Sequence, residues 1–208
     1  MDPANRIERS TMTTLSRVQR NDPSLRELEL CNTVHFTHEG MGCYWTIDSA
    51  DLARLGDAIG ANTNVRELVF YSTDELVDMA ANNGAFFEGL KSNTSINNMF
   101  LVNCDIFWGM GRDILNGFVA NNSSLTGIGL RQCTLENGGA GVLITQSSCP
   151  NLNWIRLTSC NIDDDILVQF VSGIKRPRQL RTLDLQRNNI GRAGCEALAT
   201  ILKDPMAI

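Results

Sequence analysis

Apolar residues along this chain recur in short triplets, in which the second and third members follow the first by three and five positions. Six segments carry such a triplet, and they are, in chain order, Leu25, Leu28 and Leu30; Val65, Leu68 and Phe70; Ile96, Met99 and Leu101; Leu125, Ile128 and Leu130; Leu152, Ile155 and Leu157; and Leu180, Leu183 and Leu185. Successive triplets start 40, 31, 29, 27 and 28 residues apart, so the pattern converges on a period near 28. Side chains alternate along a β-strand, and we therefore predict a short strand at each triplet, with its last two members facing the core.

The segments between the triplets have the spacing of amphipathic helices. After the sixth triplet we predict one buried helical face, which carries Cys195 together with Ala197, Leu198, Ile201 and Leu202. Turn-rich segments such as Asn62-Thr63-Asn64 then lead to the next triplet. A single strand and helix cannot bury an apolar face alone, so the units are expected to stack into one parallel sheet with a continuous core.

The two ends of the chain differ from its repeated part. Residues 1–24 are predicted to form an N-terminal helical cap or partial repeat, which ends at Asn21-Asp22-Pro23 because proline cannot continue a helix. Residues 25–208 are predicted to form six repeats that start near 25, 65, 96, 125, 152 and 180. Since the sequence stops where a further strand would begin, we expect a fragment of a longer array or an array without a polar C-terminal cap.

A polar or sulfur-bearing position recurs eight residues after the start of each triplet. The residues at this position are Thr33, Thr73, Cys104, Cys133, Cys160 and Asn188. We predict that their side chains lie in the turn after each strand and hydrogen-bond to neighbouring backbone, forming a ladder through the stack. This prediction gives three of the seven cysteines a structural role. The odd number of cysteines and the absence of CxxC give no support to a disulfide framework or a metal site.

Residues 180–190 read L-x-x-L-x-L-x-x-N-x-I, and the residues after them read GRAGCEALATIL. With the period near 28 and the Cys/Asn alternation in the turns, residues 25–202 resemble leucine-rich-repeat proteins of the ribonuclease-inhibitor-like subfamily. The resemblance implies an α/β solenoid, a curved right-handed β-α superhelix with a parallel sheet on its concave face and helices on its convex face. It also implies a protein-binding role, because relatives of this type include inhibitors, GTPase-activating proteins and sensor regions of immune receptors.

The strand residues between the core positions are predicted to form the concave face. The candidate binding residues there are Glu27, Glu29, Glu67, Tyr71, Phe100, Val102, Gly127, Gly129, Arg131, Trp154 and Arg156. Two glycines in the fourth strand predict a shallow notch between Phe100 and Trp154. Exposed aromatic side chains beside arginine are typical of an interface hot spot. Alternatively, Tyr71, Phe100 and Trp154 pack on one another across neighbouring strands.

Charge and hydropathy narrow the class of partner. The net charge of −5 and a pI near 5.0 argue against nucleic acid or an anionic membrane as the main partner. No apolar run is long enough to span a bilayer and the N-terminus lacks a signal peptide, so a cytoplasmic location is the default expectation. We therefore predict a protein or peptide ligand, bound by a monomer or by a fragment of a longer repeat array.

Metal-binding residue types are concentrated in the long first repeat. Four residues there are of zinc-ligand type, and these are His35, His38, Glu39 and Cys43. Their spacing matches no standard site, so no metal and no cofactor are predicted. The same loop is alternatively an extended turn packed on the sheet edge or a functional loop at the binding surface.

Catalytic motifs do not emerge from the sequence. It contains no phosphate-binding glycine loop with the following lysine, no G-x-S-x-G and no arguable Ser/His/Asp order, so we predict a non-enzymatic protein–protein interaction module. One alternative is a GTPase-activating-type regulator that presents Arg131, Arg156 or Arg187. Another is the sensor or substrate-recognition fragment of a larger protein. Formal glycosylation acceptors begin at Asn93, Asn121 and Asn122, and they matter only in a secreted protein.

Overall fold

The computed structural model describes residues 14–32, 49–72, 86, 88–104, 118–119, 122–133, 135, 151–173 and 180–203. Six strands lie within these residues, namely β1 (Glu27–Asn32), β2 (Glu67–Ser72), β3 (Asn98–Val102), β4 (Gly127–Arg131), β5 (Trp154–Thr158) and β6 (Thr182–Asp184). They form one sheet in the order β1-β2-β3-β4-β5-β6, and every neighbouring pair is parallel. The prediction of one short strand at each triplet is confirmed.

The strands pair without a slip in register. The second core positions of the six repeats are in lateral register, and these are Leu28, Leu68, Met99, Ile128, Ile155 and Leu183. A one-residue slip would move every core side chain of a strand to the other face, so the buried triplets hold this register. The sheet is open, with β1 and β6 at its edges.

Helices alternate with the strands. They are α1 (Ser49–Ala61), α2 (Asp164–Gly173) and α3 (Arg192–Lys203), and residues 14–19, 86, 88–90 and 118–119 are also helical. Each contributes apolar side chains to the core that the inner strand face also lines, for example Leu55 and Ile59 from α1 and Phe170 from α2. Phe86 packs its ring 5.2 Å from that of Phe70 on β2. The fold is therefore the predicted α/β solenoid of leucine-rich-repeat type.

The first and last repeats are covered to different extents. Leu15 and Val18 from residues 14–19 are buried against the first repeat. In the last repeat, Leu180, Leu183 and Leu185 are only half-buried, whereas their counterparts in the preceding repeat are buried. The core thus thins towards β6.

The predicted buried face of the last helix is wrong in two positions. Cys195 is exposed, and Leu202 is 69% exposed. Gly194 is the buried residue of α3, because a Cβ there would lie 2.6 Å from Asp164 Oδ1 and 3.0 Å from Leu167 Cδ2 of α2. Helix α3 contacts α2 on one side, and among the described residues nothing packs on its other side.

Buried asparagines tie the turns that lead into the strands to one another. Asn62, Asn93 and Asn122 each lie three positions before the first core residue of a repeat, and they are 2%, 0% and 0% exposed. Asn62 donates through Nδ2 to the carbonyl oxygen of Val18, and Asn122 donates to that of Asn93. The sequence alone groups these three asparagines with ordinary turn residues such as those of Asn62-Thr63-Asn64, because asparagine is common in exposed turns as well.

The side-chain amide of Asn93 forms hydrogen bonds through both its nitrogen and its oxygen. Its Nδ2 donates to the carbonyl oxygens of Ile59 at 2.7 Å and Asn62 at 2.9 Å. Its Oδ1 accepts from the backbone N–H groups of Ser95 and Ile96, both at 2.8 Å. One side chain therefore closes its own turn and binds the turn of the preceding repeat, where water cannot reach the backbone.

The same burial corrects the glycosylation reading. The amide nitrogens of Asn93 and Asn122 are the atoms a glycan would modify, and both are engaged in hydrogen bonds inside the protein. The folded chain does not offer them as acceptors. Asn121 lies outside the described residues.

At the other end of the strands, cysteine and asparagine side chains bond to strand carbonyls. Cys104 Sγ lies 3.3 Å from the carbonyl oxygen of Val102, and Cys133 Sγ lies 3.4 Å from that of Leu101. Asn188 donates to the carbonyl oxygens of Leu157 and Leu185 at 2.6 and 2.8 Å. Thr33 and Thr73, the first two members of the predicted ladder, lie outside the described residues.

Cys160 has the most constrained thiol of this set. Its Sγ lies 3.4 Å from the carbonyl oxygens of both Leu130 and Thr158, while its backbone N–H donates to Asn188 Oδ1 at 2.9 Å. Burial raises the pKa of the Cys160 thiol to about 12, because the thiolate would lose its hydration. The thiol is therefore protonated at neutral pH and acts as a hydrogen-bond donor.

We expect Asn93→Ala to destabilise the fold by about 3 kcal/mol, because it leaves the backbone N–H groups of Ser95 and Ile96 buried without partners and removes the bonds that Nδ2 makes to the preceding repeat. The measurement is urea unfolding followed by circular dichroism. Asn151→Ala is the matched control, since exposed Asn151 makes one bond to the Ser123 carbonyl. An equal loss of stability in both variants would contradict this role for Asn93.

We expect iodoacetamide to modify exposed Cys195 in the native protein at least about a hundredfold faster than buried Cys104, Cys133 and Cys160. The buried thiols react only when the fold opens. Peptide mapping by mass spectrometry gives the four rates, and the difference should vanish in guanidinium chloride. Comparable native rates at Cys160 and Cys195 would show that the buried position is wrong.

Candidate binding surface on the open sheet face

The strand residues that alternate with the core positions form an outward face, here called the open face. Its described side chains are Glu27, Glu29, Glu67, Val69, Tyr71, Asn98, Phe100, Val102, Arg131, Trp154, Arg156, Thr158, Thr182 and Asp184, with Gly127 and Gly129 between them. All eleven candidate binding residues therefore lie on one surface. The side chain of Cys31, in the same register, lies outside the described part.

Two aromatic rings meet at the centre of this face. Phe100 belongs to β3 and Trp154 to β5, so their backbones are two strand spacings, roughly 9.6 Å, apart. Their ring centroids are nevertheless only 5.2 Å apart, with an angle of 34° between the ring planes. The two side chains must therefore lean towards each other across β4.

Glycine on β4 makes this contact possible. A Cβ at Gly127 would lie 1.7 Å from Trp154 Cε2, and a Cβ at Gly129 would lie 2.4 Å from Phe100 Cδ1. Each ring thus covers one glycine, and both glycines are buried. The pair of rings over Gly127 and Gly129 is called the aromatic platform below.

The platform corrects one expectation about the open face and is compatible with both interpretations of its aromatic residues. The predicted notch between Phe100 and Trp154 is wrong, because the rings fill the space that the missing side chains leave. Mutual packing holds for these two aromatic residues, and it spans non-adjacent strands. Both rings are half-buried, so they still present a surface to solvent. Tyr71, also half-buried, lies on β2 next to Val102 in register.

Acidic side chains occupy the part of the open face on β1 and β2. Glu27 and Glu67 are direct partners in register, and Glu29 lies one step along the same face of β1. Like charges opposite each other across a sheet are destabilising. Within the described residues, none of these three carboxylates forms an ion pair. This part of the face therefore carries three carboxylates that no described side chain pairs with.

The arginines lie on β4, on β5 and in the turn after β6. Arg156 Nε is 3.0 Å from Asp184 Oδ2, with side chains that are 54% and 19% exposed. Arg156 is thus already paired with a carboxylate of the same face. Arg131 is exposed at the end of β4, and Arg187 is exposed in the turn after β6 with a φ of 59°. The open face thus passes from acidic strands through an aromatic centre to an arginine-bearing side.

The part of the chain that the structure describes shows neither a cluster of metal ligands nor a membrane-spanning helix. There, no three or more His, Cys, Asp or Glu side chains are arranged to hold a metal ion. The four residues of zinc-ligand type, His35, His38, Glu39 and Cys43, lie outside the described residues. No helix in the described ranges has the length and apolar character needed to cross a membrane.

Comparisons with known proteins agree with the repeat architecture. A family model described as Leucine Rich repeat matches residues 177–199, which contain β6 and the first part of α3. No curated protein matches the chain. The chain is similar to the solved structure "Leiomodin-1 Actin-Binding Site 2 (ABS2)", with 16% identity, coverage of 90% of this chain and 84% of that one, and a TM-score of 0.44. A similarity of this size carries no argument, so the repeat assignment depends on the family model and on the sheet itself. The ribonuclease-inhibitor-like subfamily stays a prediction.

We expect Gly127→Ala to displace the Trp154 ring, because the new methyl group and the indole would occupy the same space. The ring has room to move outward, so the loss of stability should be about 1–3 kcal/mol. Fluorine NMR of protein labelled with 5-fluorotryptophan would show a shifted and more solvent-sensitive Trp154 resonance, identified by its absence in Trp154→Phe. Thr94→Ala, at an exposed position off the sheet, should leave it unchanged. An unmoved resonance in Gly127→Ala would contradict the platform geometry.

Proposed function

We propose that this protein is a non-enzymatic interaction module that binds a protein or peptide through the open face, with the aromatic platform at the centre of the contact. The observation that carries the proposal is the Phe100–Trp154 contact across β4. Large aromatic side chains at the centre of a surface are typical of binding hot spots, whereas the surrounding residues mainly exclude water.

The support for the platform makes it suited to binding. Gly127 and Gly129 allow the rings to lie on the backbone of a central strand, which has paired neighbours on both sides. A ring that is already held by packing loses little conformational freedom when a partner covers it. Functional side chains placed on rigid strands are also positioned more accurately than those on loops.

The charged residues around the platform fit the same interpretation. Glu29, Phe100 and Arg156 lie in one lateral row of the sheet, so a partner crossing the strands meets acidic, aromatic and basic side chains in turn. Such a graded surface selects the orientation of a partner and suppresses partners with the opposite pattern. We propose that the module acts as a monomer or as part of a longer repeat array.

We propose the cytoplasm as its location. Cys195 is a free, exposed thiol, and Cys104, Cys133 and Cys160 are free, buried thiols that serve as hydrogen-bond donors. A reducing compartment keeps such thiols in this form.

The test is capture of partners from an extract of the source cells on immobilised protein, followed by mass spectrometry. Phe100→Ala with Trp154→Ala should remove the captured partner, because the hot spot is lost while the core below the sheet remains. Val168→Ala with Leu202→Ala is the matched control, since it removes two exposed apolar side chains from the helices. Circular dichroism should show the same folded content in both variants.

A photo-crosslinking measurement distinguishes the two surfaces independently. A benzophenone side chain at Thr182, exposed on the open face, should cross-link the captured partner, and one at Gln169, exposed on α2, should not. Capture that survives the platform substitutions, together with cross-links from Gln169 alone, would place binding on the helices and overturn the proposal.

A further inference from the structure

We propose that the segment seated on the open face is an extended, basic one, with an apolar anchor on the aromatic platform and lysine or arginine side chains on β1 and β2. This inference depends on the proposed function and specifies the chemistry of the partner. It follows from the charges of the face, from their distance to the platform, and from the lack of ion pairs at its three glutamates among the described residues.

A partner on β1 and β2 meets three carboxylates. Glu27, Glu29 and Glu67 share one surface, and two of them face each other directly across paired strands. An arrangement that costs stability in the free protein becomes favourable when a cation lies between the carboxylates. Basic side chains fit this surface, and acidic ones are repelled by it.

The arginines on β4 and β5 attract an acidic partner less strongly than the carboxylates attract a basic one. Arg156 is already paired with Asp184, so an incoming carboxylate would have to compete with an existing ion pair. Arg131 is exposed at the end of β4, and it is one charge against three carboxylates on β1 and β2. The electrostatic attraction for a partner is therefore strongest at the acidic strands.

The distance from the platform to the carboxylates limits the conformation of the bound segment. The platform lies over β4, which is two strand spacings from β2 and three from β1, or about 10 and 14 Å. An extended chain advances about 3.3 Å per residue and places every second side chain on one face. Basic residues two and four positions from the anchor therefore face the sheet about 7 and 13 Å away, within side-chain reach of Glu67 and Glu27. A helix would need roughly seven to ten residues for the same distances. We commit to the extended form, because a short segment of it presents both the anchor and the basic side chains to the sheet on one face.

The charged part of this contact has a measurable signature. Glu27 and Glu29 are exposed, so their pairing with a partner is screened by salt. The platform contact is apolar and depends little on salt. Binding should therefore weaken steeply with ionic strength, and the dependence should come from the carboxylates.

The experiment uses a displayed library of random peptides of about twelve residues, which exceeds the roughly six needed to cross from β1 to β5. The library is depleted on Trp154→Ala protein and then selected on the natural protein. Enriched peptides should carry lysine or arginine two or four positions from an aromatic or aliphatic residue. The enriched peptides are synthesised, and their affinities are measured by fluorescence polarisation.

Matched variants separate local from overall charge. Glu27→Gln, Glu29→Gln and Glu67→Gln together should weaken the selected peptides about tenfold at low salt, and the loss should shrink as salt rises. Glu88→Gln, Asp165→Asn and Glu196→Gln change the net charge equally at exposed helix positions, and they should alter affinity less than about twofold.

The outcomes distinguish this inference from the proposed function. Enriched peptides without basic residues, enriched helical or acidic peptides, or equal effects of the two triple variants would overturn the inference and leave the open face as a binding surface. A library without any peptide that prefers the natural protein to Trp154→Ala would count against both.

Discussion

The structure depends on satisfying the backbone groups that a stacked parallel sheet buries at both ends of its strands. Water cannot reach these groups, and an unpaired buried carbonyl or N–H is costly. Asn62, Asn93 and Asn122 supply donors where the chain enters the strands, and Cys104, Cys133, Cys160 and Asn188 supply them where it leaves. Since most of these side chains also bond to the preceding repeat, stability belongs to the stack more than to any one repeat.

The candidate site uses the regularity of the sheet and one departure from it. Side chains on the open face normally stand apart at the strand spacing, which keeps residues two strands apart from touching. Gly127 and Gly129 remove two side chains from β4, and the rings of Phe100 and Trp154 then meet above the backbone. An aromatic platform built in this way depends on four residues from three strands. Its rigidity comes from the same lateral pairing that forms the fold.

Most of the fold could be predicted from the sequence, because the causes are local and repeat. The six triplets predicted the strands, and the register keeps Leu28, Leu68 and Met99 side by side. The sequence predictions were wrong where the burial or bonding of a residue depends on the neighbouring repeat. Cys195 and Leu202 have helical spacing for burial, yet α3 has a neighbour on one side only among the described residues. Asn93 looked like an ordinary turn residue because its partners at Ile59 and Asn62 lie in another repeat.

For the open face, the sequence by itself determined which side chains point outward and which strands carry carboxylates, aromatic rings and glycines. Alternation along a strand is enough for this, since it needs no information about other strands. Only the tertiary structure decided that Phe100 and Trp154 lean together and close the space over Gly127 and Gly129. The direction in which a side chain leans depends on the free space beside it. Residues about one repeat away in sequence determine that space.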